Sequence, residues 1–574
     1  MNGKGLNAAR RIAIVGGGPS GLFMYKRFIE SDFELHKMEI HIFESKKCLG
    51  AGMPYSREGA NVEHVTNVSD HEIPDLVTSV ETWIQTVPEN TLHQFNIELK
   101  KFSEYKVLPR LLFGKYLSAQ FDLLLRRAES MKLKTQVHLN SQVTDMVDHP
   151  GQNQVEVIVN GNTSYNYDRV IICTGHHWPL KYEGKIPGYY DSPYPPKKLA
   201  HTLNHAVALK GSSLTAIDAI RTLARSNGHF EENVNGHLCF IPAPDCTDFK
   251  IVMHSRNGLL PAVRIHLEDP LVEGLNLLTQ EQIAAHMRGN DGFLSLDFVF
   301  EKNFKEIFKS KDPVFYERIE AMNLEDFVDW MMSLREKLEP FQLLRAEYVE
   351  AEKSIRAKES IHWKEMLGVL SFALNYPAKY LSAEDMLRLQ KVLMPLISIV
   401  IAFVPQGSCK ELMALHDAGK LELIAVGDDS KIKVEKDGGV TFQYNSHEKY
   451  YQTFIDCTGQ SHFAYEEFPF QSMLKKKTVS PAFVKFHSSD CAKNAIENTA
   501  AEIVCDEAGD CYLKVPGIKI NDHFQVIGKG DVANQRVYLM AVPYMGGYNP
   551  DYSGLDFCAE ASLAIVKSMG AIPT

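Results

Sequence analysis

Three glycines, one acid and one base are the residues whose types and spacing most directly imply chemistry. Gly16, Gly18 and Gly21 lie in IAIVGGGPSG at G-x-G-x-x-G spacing, after a short apolar run and before a helix-like segment, Leu22 to Glu30. In that setting Gly16 permits a tight turn, Gly18 lets a pyrophosphate approach the backbone, and Gly21 lets the helix pack close to the strand. Pro19 and Ser20 fill the positions between Gly18 and Gly21. The free N–H groups and partial positive charge of that helix start favour an anion. Glu44 closes the next apolar strand, Glu39 to Glu44, where a carboxylate accepts hydrogen bonds from an adenosine ribose. The pair predicts a dinucleotide with a free 2′-hydroxyl, against the plainer reading of a strand, a turn and an exposed glutamate.

The arrangement recurs further along. Ala206 to Leu209 reads as a strand, Gly211 to Thr215 as a turn in which Gly211, Ser212 and Ser213 are the candidate binding residues, and Ala216 to Arg225 as a helix. Ser213 and Ala216 replace the second and third glycines with small residues, which still permit close backbone approach at lower specificity. The following strand, Lys250 to His254, leads to Arg256, so a guanidinium takes the place that Glu44 holds in the first unit. Paired charge-assisted hydrogen bonds from that position would grip a ribose 2′-phosphate, which predicts NADPH; the alternative is a solvated surface arginine.

Other candidates are weaker in isolation. Gly52, in LGAGMPYS, marks a backbone passing close to a ligand or a tight loop, and Asn67 is either an amide facing a flavin edge or a turn residue. Two buried strands end alike, one in Thr174-Gly175 and one in Thr458-Gly459. The Gly546-Gly547 pair, with the helix expected from Leu555, offers N–H groups to the flavin pyrimidine end or else forms a surface loop.

The elements that must position these groups follow from length and periodicity. At 574 residues, 45% hydrophobic and 23% charged, the chain has material for roughly two to four domains. Leu108 to Glu129 carries apolar residues at helical spacing, Thr135 to His149 and Gln154 to Tyr167 read as strands, and Pro179 to Pro196 as a connecting segment. Leu278 to Pro405 is dominated by helical patterns. The reading is an α/β chain: a discontinuous Rossmann-like domain (residues 1–200 and 451–574), an inserted nucleotide domain (201–277, returning over 406–450), and a helical insertion (278–405). That insertion either covers a substrate pocket or supplies packing bulk.

Composition excludes several classes. The net charge of −11 argues against sequence-independent nucleic-acid binding. The longest apolar run, Val392 to Val404, has thirteen residues and includes Pro395. As a helix it spans about 20 Å, short of a hydrocarbon core of about 30 Å, so it reads as a core segment and no membrane contact is expected. Met1 to Arg11 resembles no signal peptide, which predicts a cytoplasmic location. The ten cysteines include no C-x-x-C pair and the 22 histidines no H-E-x-x-H or similar spacing, so neither a disulfide framework nor a metal is expected.

VGGGPSG with Glu44, the two CTG endings and the inserted GSSLTAID unit together resemble the two-dinucleotide-binding-domain flavoproteins. Within these, LGAGMPYS, LFGKYL after Arg110, CTGHHWP and SRNGLLP are most similar to a bacterial FAD-NAD(P)-binding family that includes flavin-dependent N-hydroxylases. The resemblance implies that FAD sits on the opening unit, with both Thr-Gly endings assigned to it, and that NADPH sits on the inserted one. Arg110 is then expected among the cofactor-binding residues, and Asn67, His176 and Tyr548 around the flavin. It further implies a monooxygenase in which NADPH reduces the flavin, dioxygen forms a C4a-hydroperoxide, and one oxygen passes to a small nucleophilic substrate. Two alternatives share these motifs, a reductase using another electron acceptor and an FAD protein that senses redox state without turnover.

Overall fold

The computed structural model describes residues 10–103, 105–268, 277–375, 377–460, 462–499, 501–548 and 554–570. Its frame is two sheets that repeat one plan. The first runs Gln525–Ile527, Ala533–Leu539, Arg169–Ile172, Arg10–Val15, Met38–Phe43, Lys134–His138, with all neighbours parallel except the pair at the Gln525 edge. Ile12, Ala13 and Ile14 are fully buried, as expected where helices cover both faces of a parallel sheet. Helices Pro19–Ile29, Arg110–Ser130 and Gly554–Gly570 belong to this unit, and the first packs on both others.

The run Thr135 to His149, read as one strand, is two. Asn140 adopts a left-handed φ of 52° and breaks it. Lys134–His138 joins the first sheet, and Val143–His149 opens an antiparallel meander with Gln154–Val159 and Thr163–Tyr167.

The second sheet is wholly parallel, in the order Tyr189–Tyr190, Thr453–Asp456, Ala206–Lys210, Lys250–Ser255, Leu421–Ala425. This corrects one expectation. The strand ending in Thr458-Gly459, assigned to the flavin unit, pairs with Ala206–Lys210 in the register Val207↔Thr453 to Lys210↔Asp456 and so belongs to the second unit. In the first sheet the place beside Arg169–Ile172 is taken by Ala533–Leu539. The short strand Tyr189–Tyr190, inside the stretch read as a connector, forms the second sheet's edge.

Between Gln280 and Val400 the structure is helical, running from Gln280–Arg288 to Met394–Val400. Phe300, Phe304, Phe308 and Phe327 form a ring cluster in this region. All four are buried, at about 1.5–3 kcal/mol of transfer free energy each. Most of these helices share one apolar core with the first sheet, while Phe341, Leu344 and Ala351 of helix Pro340–Ala357 enter the core of the second. The insertion therefore packs on both units. Within Val392 to Val404, Leu393, Leu396, Ile397, Val400, Phe403 and Val404 are buried. Among the described residues no helix is long and apolar enough to cross a membrane. One disulfide, Cys505–Cys511, links neighbouring strands of a small antiparallel sheet in the closing region.

Candidate functional site

The opening turn is shaped by close backbone contact. Gly16 has φ +112°, and a Cβ there would stand 2.5 Å from the carbonyl oxygen of Cys173. A Cβ on Gly21 would meet the oxygen of Gly16 at 2.2 Å, and one on Gly18 would meet the Cα of Gly52 at 3.2 Å. Pro19 occupies the first turn of helix Pro19–Ile29, and no side chain caps that helix. An uncapped N-terminus of this kind could hold an anion such as a pyrophosphate. The loop bearing Gly52 packs against the turn through Gly50 N–H, which donates to Gly17 O at 2.7 Å. Ser20 Oγ lies 3.3 Å from Cys558 Sγ. Glu44 is buried, and its carboxylate accepts from Gly17 N–H and Lys46 N–H at 2.8 Å each and from the Ser45 hydroxyl at 3.2 Å. Those donors fix the carboxylate beside the turn.

The second unit reproduces this construction. Gly211 has φ +108°, and its Cβ would stand 2.8 Å from the oxygen of Cys457. Gly16 N–H donates to Phe43 O and Gly211 N–H to His254 O, both at 2.8 Å. Ser213 takes the N-cap position of helix Leu214–Asn227 with no capping hydrogen bond, and Ser212 donates to Leu259 O at 2.7 Å. Thr458 turns back on Asp456, donating to its carboxylate through both N–H and hydroxyl, and Gly459 follows at φ +85°. Arg256 follows the last residue of strand Lys250–Ser255, well exposed, with Asp428 3.6 Å from its Nε. An exposed pair of this kind holds the guanidinium only weakly.

The two units meet at the residues that follow the twin endings. His176, after Thr174-Gly175, shares a short hydrogen bond through Nδ1 with the Oε1 of Gln460, which follows Thr458-Gly459. Surrounding atoms depress the His176 pKa although the ring reaches solvent, with Gln460 acting in the opposite direction. Beside this contact Thr174 Oγ1 and Gln460 Nε2 are buried without a hydrogen-bond partner among the described residues. Buried orphans are costly, and two together at the mouth of a nucleotide cradle fit a bound ligand that satisfies them. Gln460 escaped the sequence reading, although its register after CTG, identical to that of His176, marks it.

Arg110 departs from its expected role. Its Nη1 donates to Asp218 Oδ2 at 2.5 Å and its Nε to Val65 O at 2.9 Å, so the guanidinium ties the first unit to helix Leu214–Asn227 of the second. Tyr194 donates to the same Asp218 oxygen at 2.7 Å. Asp218 is buried. Burial raises its pKa, but the charges of Arg110 and His64 and the hydrogen bonds from Tyr194 and Arg110 together outweigh this and hold it below the usual carboxylate range. His64 completes the junction, with Nε2 3.1 Å from both Asp218 O and Thr222 Oγ1. Nothing in the sequence pairs residues 110 and 218.

Asn67 lies on strand Val65–Ser69 with its side chain toward solvent. Its carbonyl accepts a short hydrogen bond from the buried Arg264, which also pairs with Glu72. Gly546 faces the His462 ring and Gly547 the carbonyl of Pro516. The closing helix is Gly554–Gly570, in line with the helix expected from Leu555, and residues 549–553 of the expected glycine-rich loop lie outside the described residues. Tyr548 is buried and lines a cleft of about 410 Å³ with Lys379, Tyr380, Phe483, Asn521 and Asp522, between the helical region and the closing sheet.

Residues 13–177 match the FAD-NAD(P)-binding family. The opening unit is an FAD-NAD(P)-binding domain. Residues 279–401 match the YdhS-like middle domain, so the helical insertion is a unit shared with other proteins. Over 566 residues the chain is 27% identical to the uncharacterized protein YdhS of Escherichia coli (strain K12), covering 98% of this chain and 97% of that one. Among solved structures it is similar to the ornithine hydroxylase PvdA of Pseudomonas aeruginosa (9% identity, 98% and 99% coverage, TM-score 0.47). It is also similar to the ornithine N-hydroxylase KtzI of Kutzneria sp. 744 (15%, 98% and 99%, 0.44) and to a bacillithiol disulfide reductase of Staphylococcus aureus (10%, 98% and 99%, 0.40).

Proposed function

We propose that this FAD-NAD(P)-binding protein is an NADPH-dependent flavin oxidoreductase, and within that class a monooxygenase acting on a small nucleophilic substrate. The observation that carries the reading is the contact between His176 and Gln460, where the endings of two equivalent nucleotide units face each other. A hydride donor on one unit and an acceptor on the other are brought together by that placement.

In this reading Gly16 to Gly21 and the first helix hold the FAD pyrophosphate, Glu44 the adenosine ribose, and Arg256 the NADPH 2′-phosphate. FAD, when bound, supplies the redox and oxygen chemistry. Thr174 Oγ1 and Gln460 Nε2 orient the ligands between the units. His176 offers an imidazole held in place by Gln460, with its pKa depressed by the atoms around it. The helical domain walls the cleft at Tyr548, which we assign to the substrate.

A reductase passing electrons to another acceptor is the second reading, favoured by the solvent exposure of Gly175, His176 and His177, since oxygen transfer requires a shielded site. One experiment separates the two. The purified protein is supplied with NADPH, dioxygen and a panel of amines, amino acids and aromatics, and products are weighed by mass spectrometry. Monooxygenation predicts coupled NADPH and oxygen consumption with one oxygen atom gained by a product. NADPH oxidation that proceeds with an artificial acceptor, while no panel member gains oxygen, supports the reductase. Background NADPH consumption throughout supports a sensor.

A further inference from the structure

Far from the twin strand endings in sequence, three potential metal ligands converge. Glu268 lies on the segment that follows strand Lys250–Ser255, and His362 and Glu365 lie in the first turns of helix His362–Ala373 of the middle domain. One ligand atom from each lies within 4.8 Å of the others. The His-x-x-Glu spacing places imidazole and carboxylate on one helix face, three residues apart. Ligands of a tetrahedral ion bound at about 2.1 Å stand about 3.4 Å apart. The remaining closure is a small side-chain movement, open to the exposed Glu268.

The surroundings are built around this point. Ser360 contacts all three groups: its hydroxyl donates to Glu365 Oε2 at 2.6 Å, lies 3.3 Å from His362 Nδ1, and its N–H donates to Glu268 Oε1 at 3.0 Å. Because the hydroxyl proton goes to Glu365, the serine oxygen can accept from the His362 ring, which orients it. Outer partners orient metal ligands in this way. Glu268 N–H also donates to Glu365 Oε1 at 3.0 Å, which immobilises a carboxylate that is 2% exposed. The cation adjoining it in sequence, Lys364, turns instead to Glu347 and Glu350.

The geometry points to a divalent transition-metal site formed by Glu268, His362 and Glu365, organised by Ser360. One imidazole and two carboxylates suit Zn²⁺ or Mn²⁺, whereas Mg²⁺ and Ca²⁺ prefer all-oxygen shells. The ligands come from two parts of the chain, and His71 of the first unit reaches Glu268 O through Nε2 at 3.3 Å, so the ion would brace the three-way junction of the units and the middle domain.

The test uses the full-length, flavin-loaded protein after chelator treatment, titrated calorimetrically with ZnCl₂ and with MnCl₂, with thermal melting and Mn²⁺ EPR in parallel. One equivalent of either ion should bind and raise the melting temperature. Glu268→Gln and His362→Ala should each weaken that binding at least tenfold. Ser360→Ala, which keeps all three ligands, should weaken it about 10–100-fold. Glu268 is exposed, so its variant tests the site without disturbing the core. Absence of a one-equivalent phase for both ions, or such a phase unchanged in Glu268→Gln and His362→Ala, overturns the proposal.

Discussion

At the scale of single residues, the turn glycines and the charge that follows each second strand make the sharpest claims. Gly16 holds a φ that side chains disfavour, with Cys173 O where a Cβ would go. Gly16→Ala should therefore lose bound flavin and about 1–3 kcal/mol of stability, read from flavin absorbance per protein and a denaturant midpoint. Arg256 is exposed beside Asp428, so its removal leaves no buried partner stranded. Arg256→Ala should raise KM for NADPH about tenfold or more, the loss of one charge-assisted phosphate contact, and leave KM for NADH nearly unchanged; equal losses for both cofactors would refute its role. Asp556 gives a pH signature. Burial, with Glu72 adding to it, raises its folded pKa to about 6, above the ordinary value of about 3.9. Between those values the folded carboxyl keeps a proton that the unfolded chain has lost, so stability falls as pH rises through the window and levels off above it. Asp556→Asn should lessen the slope of that limb in denaturant midpoints taken at intervals from pH 4 to 7, the remainder belonging to Glu560, whose pKa burial raises to about 7.

At the scale of elements, the decisive fact is that two strand-turn-helix units are built alike and docked through a buried ionic junction. Arg110 enters from helix Arg110–Ser130, Asp218 from helix Leu214–Asn227, and Tyr194 from the connector between the sheets. Breaking a buried pair by deleting one partner costs about 3–5 kcal/mol, because the other charge stays buried. Asp218→Ala should show a loss of that size on chemical denaturation. It should also slow hydride transfer at saturating NADPH, since the faces at His176 and Gln460 lose their fixed relation. A stability loss with unchanged hydride transfer would limit the junction to a structural role. The elements themselves were largely legible. A buried apolar run followed by a glycine turn is dictated by local sterics, so both units, the long helix after Leu108 and the helical middle region could be read from periodicity. The split at Asn140 could not, because a left-handed residue inside an apolar alternation leaves little trace in composition.

At the scale of the whole molecule, the middle domain shares a core with the first sheet and sends helix Pro340–Ala357 into the core of the second, so it joins the nucleotide units as one packed body. Ligand binding at the cradle should stabilise that body as a unit. Removing the flavin should lower the melting temperature, and restoring FAD to about a hundred times its dissociation constant should return about 2.7 kcal/mol. Two separate transitions, of which FAD moves only one, would show that the units unfold independently.

The sequence by itself determined the two strand-turn-helix units, because the contact that requires glycine at Gly21, with Gly16 O, arises within one unit and the positive φ of Gly16 belongs to the turn itself. It also located the acid and the base that follow their second strands. The tertiary structure alone decided how those units are completed. Two endings of identical sequence, CTG, differ only in which sheet receives them, and strand pairing between residues about 250 apart assigned Thr458-Gly459 to the second unit. The same long-range docking drew Arg110 to Asp218 and set His176 against Gln460, for a side chain's partner depends on what packs against it and not on its neighbours along the chain.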